Sequence, residues 1–295
     1  MSLFLKVRRK IYKLLHPPYG QILTLHRVVE KRSVLEENRF LEITPAFLEQ
    51  TILKYQSAGY RFASLDEVQR QVESGKRNRR KFVCFTLDDG YADNYEQAYP
   101  VFKKHNCPFA IYVTTNYPDK KEQFWWYQLV DALLKNDKLS INDVEYDCSD
   151  LEKKNRAFWD IREKIYSDRE MTLSALEQIF KVNDCREKVC ALSWEQIIEL
   201  SADPLCIIAA HTVSHASLPA LSDEEIRKEM SDGKKKIEDK IKKPVKHFSY
   251  PYGRWDSRVV GLAMEQFDTA VITNSGEVRK GDNLYTLKRN EQVEN

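Results

Sequence analysis

Short apolar runs alternate along the chain with longer stretches in which apolar positions recur every three or four residues. The short runs are 21–25, 82–87, 109–114, 205–210, 248–250 and 269–273. Their length and their β-branched and aromatic content predict strands buried on both faces. The longer stretches predict helices, and several have readable starts. Thr44-Pro45 places a cap before a proline at the first helical position. Ser64 with Glu67, Ser193 with Gln196 and Ser222 with Glu225 each fit a capping box. Gly59 and Gly75 are placed to close helices. Strand and helix in this alternation predict an α/β fold with parallel strands, as a barrel or an open doubly wound sheet.

From about 118 to 186 the rhythm breaks. This segment is rich in Lys, Glu and Asp and carries Trp125, Trp126, Phe158 and Trp159. It predicts a mostly helical insertion between two core strands, with only a weak strand candidate near Val144. Its aromatic residues either pack on the core or wall a groove. The chain then reads as one domain over 1–295, with this insertion and a distinct N-terminal segment, 1–18.

No acid precedes Glu30, and Lys6, Arg8, Arg9, Lys10 and Lys13 crowd the start. Phe4, Val7, Ile11 and Leu14 fall at helical spacing with the bases largely opposite. Such a basic amphipathic helix can lie on an anionic membrane surface, so residues 1–15 are a candidate for peripheral membrane contact. The plainer alternative is a surface helix docked by its apolar face. The segment lacks the unbroken apolar stretch of a secretory signal, and a cytoplasmic location, at the inner face of the membrane, is the expectation.

Overall, 47 Lys and Arg stand against 45 Asp and Glu, a formal net charge of +2. A balance this even predicts no nucleic-acid partner. The six cysteines form no CxxC pair, and several sit inside apolar runs. They predict buried reduced thiols and no structural zinc knot.

The residues just past each strand carry the chemistry. The run 82–87 leads into Asp88-Asp89-Gly90, and 205–210 leads into His211-Thr212-Val213-Ser214-His215. The run 248–250 leads into Pro251-Tyr252-Gly253, and 21–25 leads into His26. In parallel α/β folds the carboxyl ends of the strands gather on one face, where active sites form. Two histidines four apart reach one metal if they share a helical turn. His, His and Asp suit a borderline divalent cation such as zinc, cobalt or nickel. Of two adjacent aspartates, one can ligate while the other takes a proton from water. Each short motif alone also has a bland reading, Asp-Asp-Gly as an ordinary turn and the histidines as residues bonded to backbone. Their arrival together at strand ends favours one site.

At these residues the chain resembles the polysaccharide deacetylases, carbohydrate esterase family four. Thr86-Leu87-Asp88-Asp89-Gly90-Tyr91 resembles the family's first motif, and Ala92-Asp93-Asn94 after it is also family-like. His211 to His215 matches the second motif, and Phe248-Ser249-Tyr250-Pro251-Tyr252-Gly253 resembles the third. Leu25-His26-Arg27-Val28 resembles the N-terminal Tyr-His element of one branch. The resemblance implies a distorted (β/α) barrel with fewer than eight repeats. It implies Asp88 as general base and Asp89, His211 and His215 as ligands of a divalent metal, zinc first. It also implies that the Tyr252 peptide N–H stabilises the oxyanion.

Two departures from the family pattern matter. Many members carry Arg two residues before the motif-three proline, where this chain has Ser249. Arg289, after the run 284–287, is the candidate substitute. Many members also take a general acid from a C-terminal histidine, and none follows His247 here. In the Tyr-His branch the N-terminal histidine serves, which assigns the acid to His26. His16, His105 and His247 read as structural or exposed.

The expected activity is metal-dependent removal of an acetyl group, N-acetyl first, from a sugar of a surface polysaccharide or its precursor. The alternatives are O-deacetylation or hydrolysis of a non-sugar amide at the same site, and a non-catalytic glycan-binding protein.

Overall fold

Seven parallel strands close into a barrel in the order in which they occur along the chain. They are β1 (Pro18–Leu25), β2 (Phe82–Leu87), β3 (Phe109–Val113), β4 (Cys206–Ala210), β5 (His247–Ser249), β6 (Thr269–Ile272) and β7 (Leu287–Glu291). Each pairs with the next, and β7 returns to β1 with Ile22 opposite Arg289 and Thr24 opposite Glu291. The structure, a computed structural model, describes residues 17–167, 175, 177–179 and 189–294. The basic segment 1–15, His16 and Cys185 lie outside the described residues. Among the described residues no helix is long and apolar enough to cross a membrane.

Barrel closure sets two faces on every strand. One set of side chains packs inside, including Ile22, Cys84, Ala110, Tyr112, Ala209, Val271 and Leu287. The alternate set faces outward against helices, including Leu23, Phe85, Ile111, Ile208 and Phe248. Both sets are mainly apolar, so all strands but β7 read as continuous apolar runs. The helices include α1 (Pro45–Ser57), α2 (Leu65–Ser74), α3 (Tyr99–Lys104), α4 (Trp125–Lys135), α5 (Leu151–Ser167), α6 (Trp194–Ala202), α7 (Asp223–Ile241) and α8 (Ser257–Met264). The Thr44 hydroxyl accepts from Phe47 N–H and caps α1. The capping boxes at Ser64, Ser193 and Ser222 are all formed. Gly75 closes α2 in the left-handed region, where glycine lacks the Cβ clash other residues meet. Helix α2 lies at the amino end of the barrel. Its Val68 and Val72 pack with the inward set, and its Asp66 meets His247, the first residue of β5. His247 is buried and bonded on both ring nitrogens, and His105 bonds Glu49, so both are structural.

Two elements sharpen the sequence expectation. Within the mostly helical insertion, the weak strand candidate near Val144 is a strand. Between α4 and α5 an antiparallel hairpin pairs Lys138–Ile141 with Val144–Asp147 through a turn at Asn142 and Asp143, both at positive φ. Its strands are only four residues long and half polar, too short for alternation to stand out. The seventh strand was also hidden. Arg289, which follows the run 284–287, lies inside β7, and this inward charged residue breaks the apolar signature of a buried strand.

Gly20 sits where β1 approaches β2, opposite Phe82. A Cβ there would lie 2.1 Å from the Phe82 carbonyl oxygen. Gly20→Ala therefore forces the strands apart, at an expected cost of about 1–3 kcal/mol. A shift of the urea midpoint at unchanged slope is the measurement.

Candidate active site

Strand parity builds the site. The inward positions of β2 are Cys84 and Thr86, and the next inward step is Asp88. The same count takes β4 from Ala209 to His211, β1 from Ile22 and Thr24 to His26, and β7 from Leu287 to Arg289 and Glu291. Asp88, His211 and His26 stand one residue past their strands, and Arg289 and Glu291 lie within β7, so strand parity turns all five side chains toward the mouth of the barrel.

Asp88 and Arg289 form the deepest contact. Arg289 donates from Nη1 to Asp88 Oδ1 at 2.7 Å and from Nη2 to Oδ2 at 2.6 Å. It also donates to Thr86 Oγ1 at 3.1 Å and to Ser249 Oγ at 3.0 Å. The Ser249 hydroxyl donates to Asp88 Oδ2 at 3.2 Å. Both charged side chains are buried. Burial alone pushes the Asp88 carboxyl up, but the charge and hydrogen bonds of Arg289 bring it below its ordinary value. Asp88 is therefore ionised in a place that would otherwise protonate it.

Asp89, His211 and His215 converge on one point. Asp89 Oδ1 lies 3.3 Å from His211 Nε2 and 3.1 Å from His215 Nε2, and the two Nε2 atoms are 3.2 Å apart. Ligand bonds of about 2.0–2.1 Å at tetrahedral angles put donor atoms about 3.3 Å apart. The triangle is thus the size of one face of a zinc coordination tetrahedron. His211 Nδ1 donates to the Ser249 carbonyl at 2.7 Å, which leaves the lone pair of the neutral ring on Nε2. Burial pushes His215 down toward the neutral form that a metal requires. The imidazoles hold Asp89 ionised, well below its ordinary value despite its burial. Three electron-rich atoms facing each other at this range fit a bound divalent cation.

The expectation that the two histidines share a helical turn is corrected. Residues 211–217 are a loop, with Thr212 at φ 69° and His215 at φ 57°. Asp89 at φ 72° and Tyr252 at φ 58° share this left-handed conformation. It costs non-glycine residues about 1–2 kcal/mol each, and four of them gather at one site. The loop is held by its neighbours. Thr114 Oγ1 donates to the His211 carbonyl, and His215 N–H donates to Thr212 Oγ1. Glu229 of α7 accepts from the N–H groups of Val213 and Ser214 and from the Ser214 hydroxyl, at 3.0, 2.9 and 2.7 Å. Gly233, one turn on, lets α7 approach, since a Cβ there would lie 3.0 Å from Thr212 backbone atoms.

The sequence reading missed Glu229 and Gly233. The available signal was a glycine inside a long helical pattern, which often marks close packing.

His215 is aimed by aromatic packing. Its Nδ1 is buried with no hydrogen-bond partner among the described residues. The Tyr252 ring stands edge-on at 4.3 Å and Trp126 lies at 5.3 Å. Trp125 Nε1 donates to the Tyr252 hydroxyl at 3.1 Å, and Trp126 Nε1 donates to Tyr91 at 3.0 Å. Two aromatics of the insertion thus border the site, while Trp159 on α5 is about half exposed. His26 is half-buried and lies within electrostatic range of Asp88, Asp89 and Glu291.

Two measurements test this geometry. Arg289→Met leaves a bare buried carboxylate and is expected to cost about 3–5 kcal/mol in urea denaturation. Adding Asp88→Asn to that variant removes the charge and is expected to recover part of the loss. Glu229→Ala frees the loop that carries the histidines and is expected to weaken zinc binding about tenfold or more in equilibrium dialysis.

The profile of the polysaccharide deacetylases matches residues 75–267. The Bacillus subtilis protein YxkH, classed as a polysaccharide deacetylase, is 22% identical over 232 residues, 78% of this chain. The chain spans 58% of the length of that relative. The Streptococcus pyogenes deacetylase PplD in complex with acetate is similar in fold, with a TM-score of 0.64 at 19% identity, over 93% of this chain and 92% of that one. IcaB from Ammonifex degensii gives 0.61 at 18% identity, over 93% and 92%. With more than half of its length matched, the chain belongs to the polysaccharide deacetylase family, which is a family of hydrolases.

Proposed function

We propose that this protein is a metal-dependent deacetylase that hydrolyses an N-acetyl group on an amino sugar and releases acetate. The observation that carries this reading is the pairing of two adjacent aspartates with different partners. Asp89 faces two imidazoles at coordination spacing, while Asp88 is held ionised by Arg289 beside them. Binding a glycan would not require a buried, ionised carboxylate at that place. A neighbour of 16% identity is a de-N-acetylase from Aggregatibacter actinomycetemcomitans, which favours the amide among the acetyl bonds.

Asp89, His211 and His215 would hold the cation, with zinc the best fit to two nitrogens and an oxygen. When bound, it lowers the pKa of water and polarises the acyl oxygen. Asp88 accepts the proton of the attacking water, and Arg289 keeps it in the form that can do so. The Tyr252 peptide N–H donates to the acyl oxygen as charge develops there. His26 gives a proton to the leaving nitrogen. The carbohydrate is a surface polysaccharide or its precursor, and the reaction takes place in the cytoplasm at the inner face of the membrane. The charge pattern of residues 1–15 supports that placement.

Acetate release from N-acetylated oligosaccharides is the assay. Chelation is expected to abolish it, and zinc, cobalt or nickel to restore it. Asp88→Asn is expected to lower kcat by about 10²–10⁴-fold with zinc still bound. Turnover that survives both Asp88→Asn and His211→Ala in one chain would refute the assignment. Cell fractionation tests the location, and recovery away from the cytoplasm and inner membrane counts against it.

A further inference from the structure

Two short segments lock together in the fold. One is Asp93-Asn94, just past the first motif, and the other is His26-Arg27-Val28, just past β1. Asn94 is fully buried and donates from Nδ2 to the His26 carbonyl at 2.8 Å. Asp93 is buried, accepts from Val28 N–H at 3.0 Å and pairs with Arg27 Nε at 2.8 Å. The Arg27 guanidinium lies over the rings of Tyr127 at 4.8 Å and Tyr91 at 5.3 Å, and reaches Glu42 at 3.4 Å. Each of residues 26, 27 and 28 is therefore gripped at a different atom.

This grip is more than chain packing requires. The segment leaves the barrel after Leu25 and pairs next with Glu42–Ile43 in a ladder of two residues. Buried ion pairs contribute little net stability, because desolvation offsets attraction. Apolar side chains would hold the segment as firmly. A guanidinium between two rings and two carboxylates instead fixes a position, since its planar donors accept few geometries. What it fixes is the residue beside it, His26, whose parity turns it to the mouth occupied by Asp88 and Glu291.

We propose that Asn94, Asp93 and Arg27 are positioning residues that hold His26 so that its imidazole delivers a proton to the leaving nitrogen. The proposal rests on the deacetylase reading above. In that reaction the oxygen of water bonds to the acyl carbon while Asp88 takes a proton from it. The C–N bond then breaks with its electron pair going to nitrogen, and nitrogen takes the proton of His26. The products are the free amine and acetate. An amine leaves poorly without that proton, whereas 4-nitrophenolate leaves as the anion. The clamp should therefore matter for an amide and not for an activated ester.

The test compares two substrates with the full chain loaded with zinc: an N-acetylated oligosaccharide and 4-nitrophenyl acetate. Asn94→Ala, Asp93→Asn and Arg27→Lys are expected to lower kcat on the amide at least tenfold. They should change ester turnover less than threefold and leave zinc content unchanged. Arg27→Lys keeps charge and bulk, so it reports on geometry if the other two fold poorly. His26→Ala sets the limit, about 10²–10⁴-fold on the amide alone. Equal losses on both substrates in the clamp variants overturn the proposal. A His26→Ala variant that treats both substrates alike overturns it through the acid. A wild-type chain inactive on both would refute the deacetylase reading itself.

Discussion

The ion pair between Asp88 and Arg289 is the constraint around which the barrel mouth is organised. A carboxylate as buried as Asp88 stays charged only beside a partner with matching donors. That partner comes from the far end of the chain, and it reaches Asp88 only because β7 closes the barrel against β1. The serine at position 249 belongs to the same arrangement. It is small enough to leave room for the guanidinium, and its hydroxyl bonds both charged groups. Barrel closure and the ionisation of Asp88 are thus one structural fact.

Around this pair the backbone is held in costly conformations. Asp89, Thr212, His215 and Tyr252 all lie in the left-handed region, which is unusual above all for the β-branched Thr212. Such residues persist where the surroundings over-determine them. Glu229 grips the loop from outside, Thr114 from the neighbouring strand end, and the close approach of α7 at Gly233 confines it. The strain serves to aim side chains that a regular helical turn would spread along its axis.

Much of this was legible in the sequence, and the limits have physical causes. Six of the barrel strands showed as apolar runs, and every singled-out capping box is formed. The seventh did not, because Arg289 occupies an inward position that apolar patterning assigns to a hydrophobe. Asp88, Asp89, His211, His215, Tyr252 and Arg289 do come together at the mouth. Their inward parity could not be read, since strands covered on both faces carry no alternation. The loop geometry of the histidine pair was also hidden, because spacing four suits a helix as well as a turn. Glu229 was invisible for another reason: its partners are backbone N–H groups, which leave no trace in residue identity.

The insertion and the metal-binding loop depend on each other. Among the described residues, none bonds His215 Nδ1 to set its ring, unlike His211, which is fixed by the Ser249 carbonyl. Its orientation comes from Tyr252 and Trp126, and those two rings are tied in turn to Trp125 and Tyr91. Trp125 and Trp126 open α4, the first helix of the insertion. A donor aimed by packing is only as well placed as the rings around it, so the order of α4 sets the order of one ligand. The two histidines, four residues apart, therefore report on different parts of the fold: His211 on the barrel and His215 on the insertion.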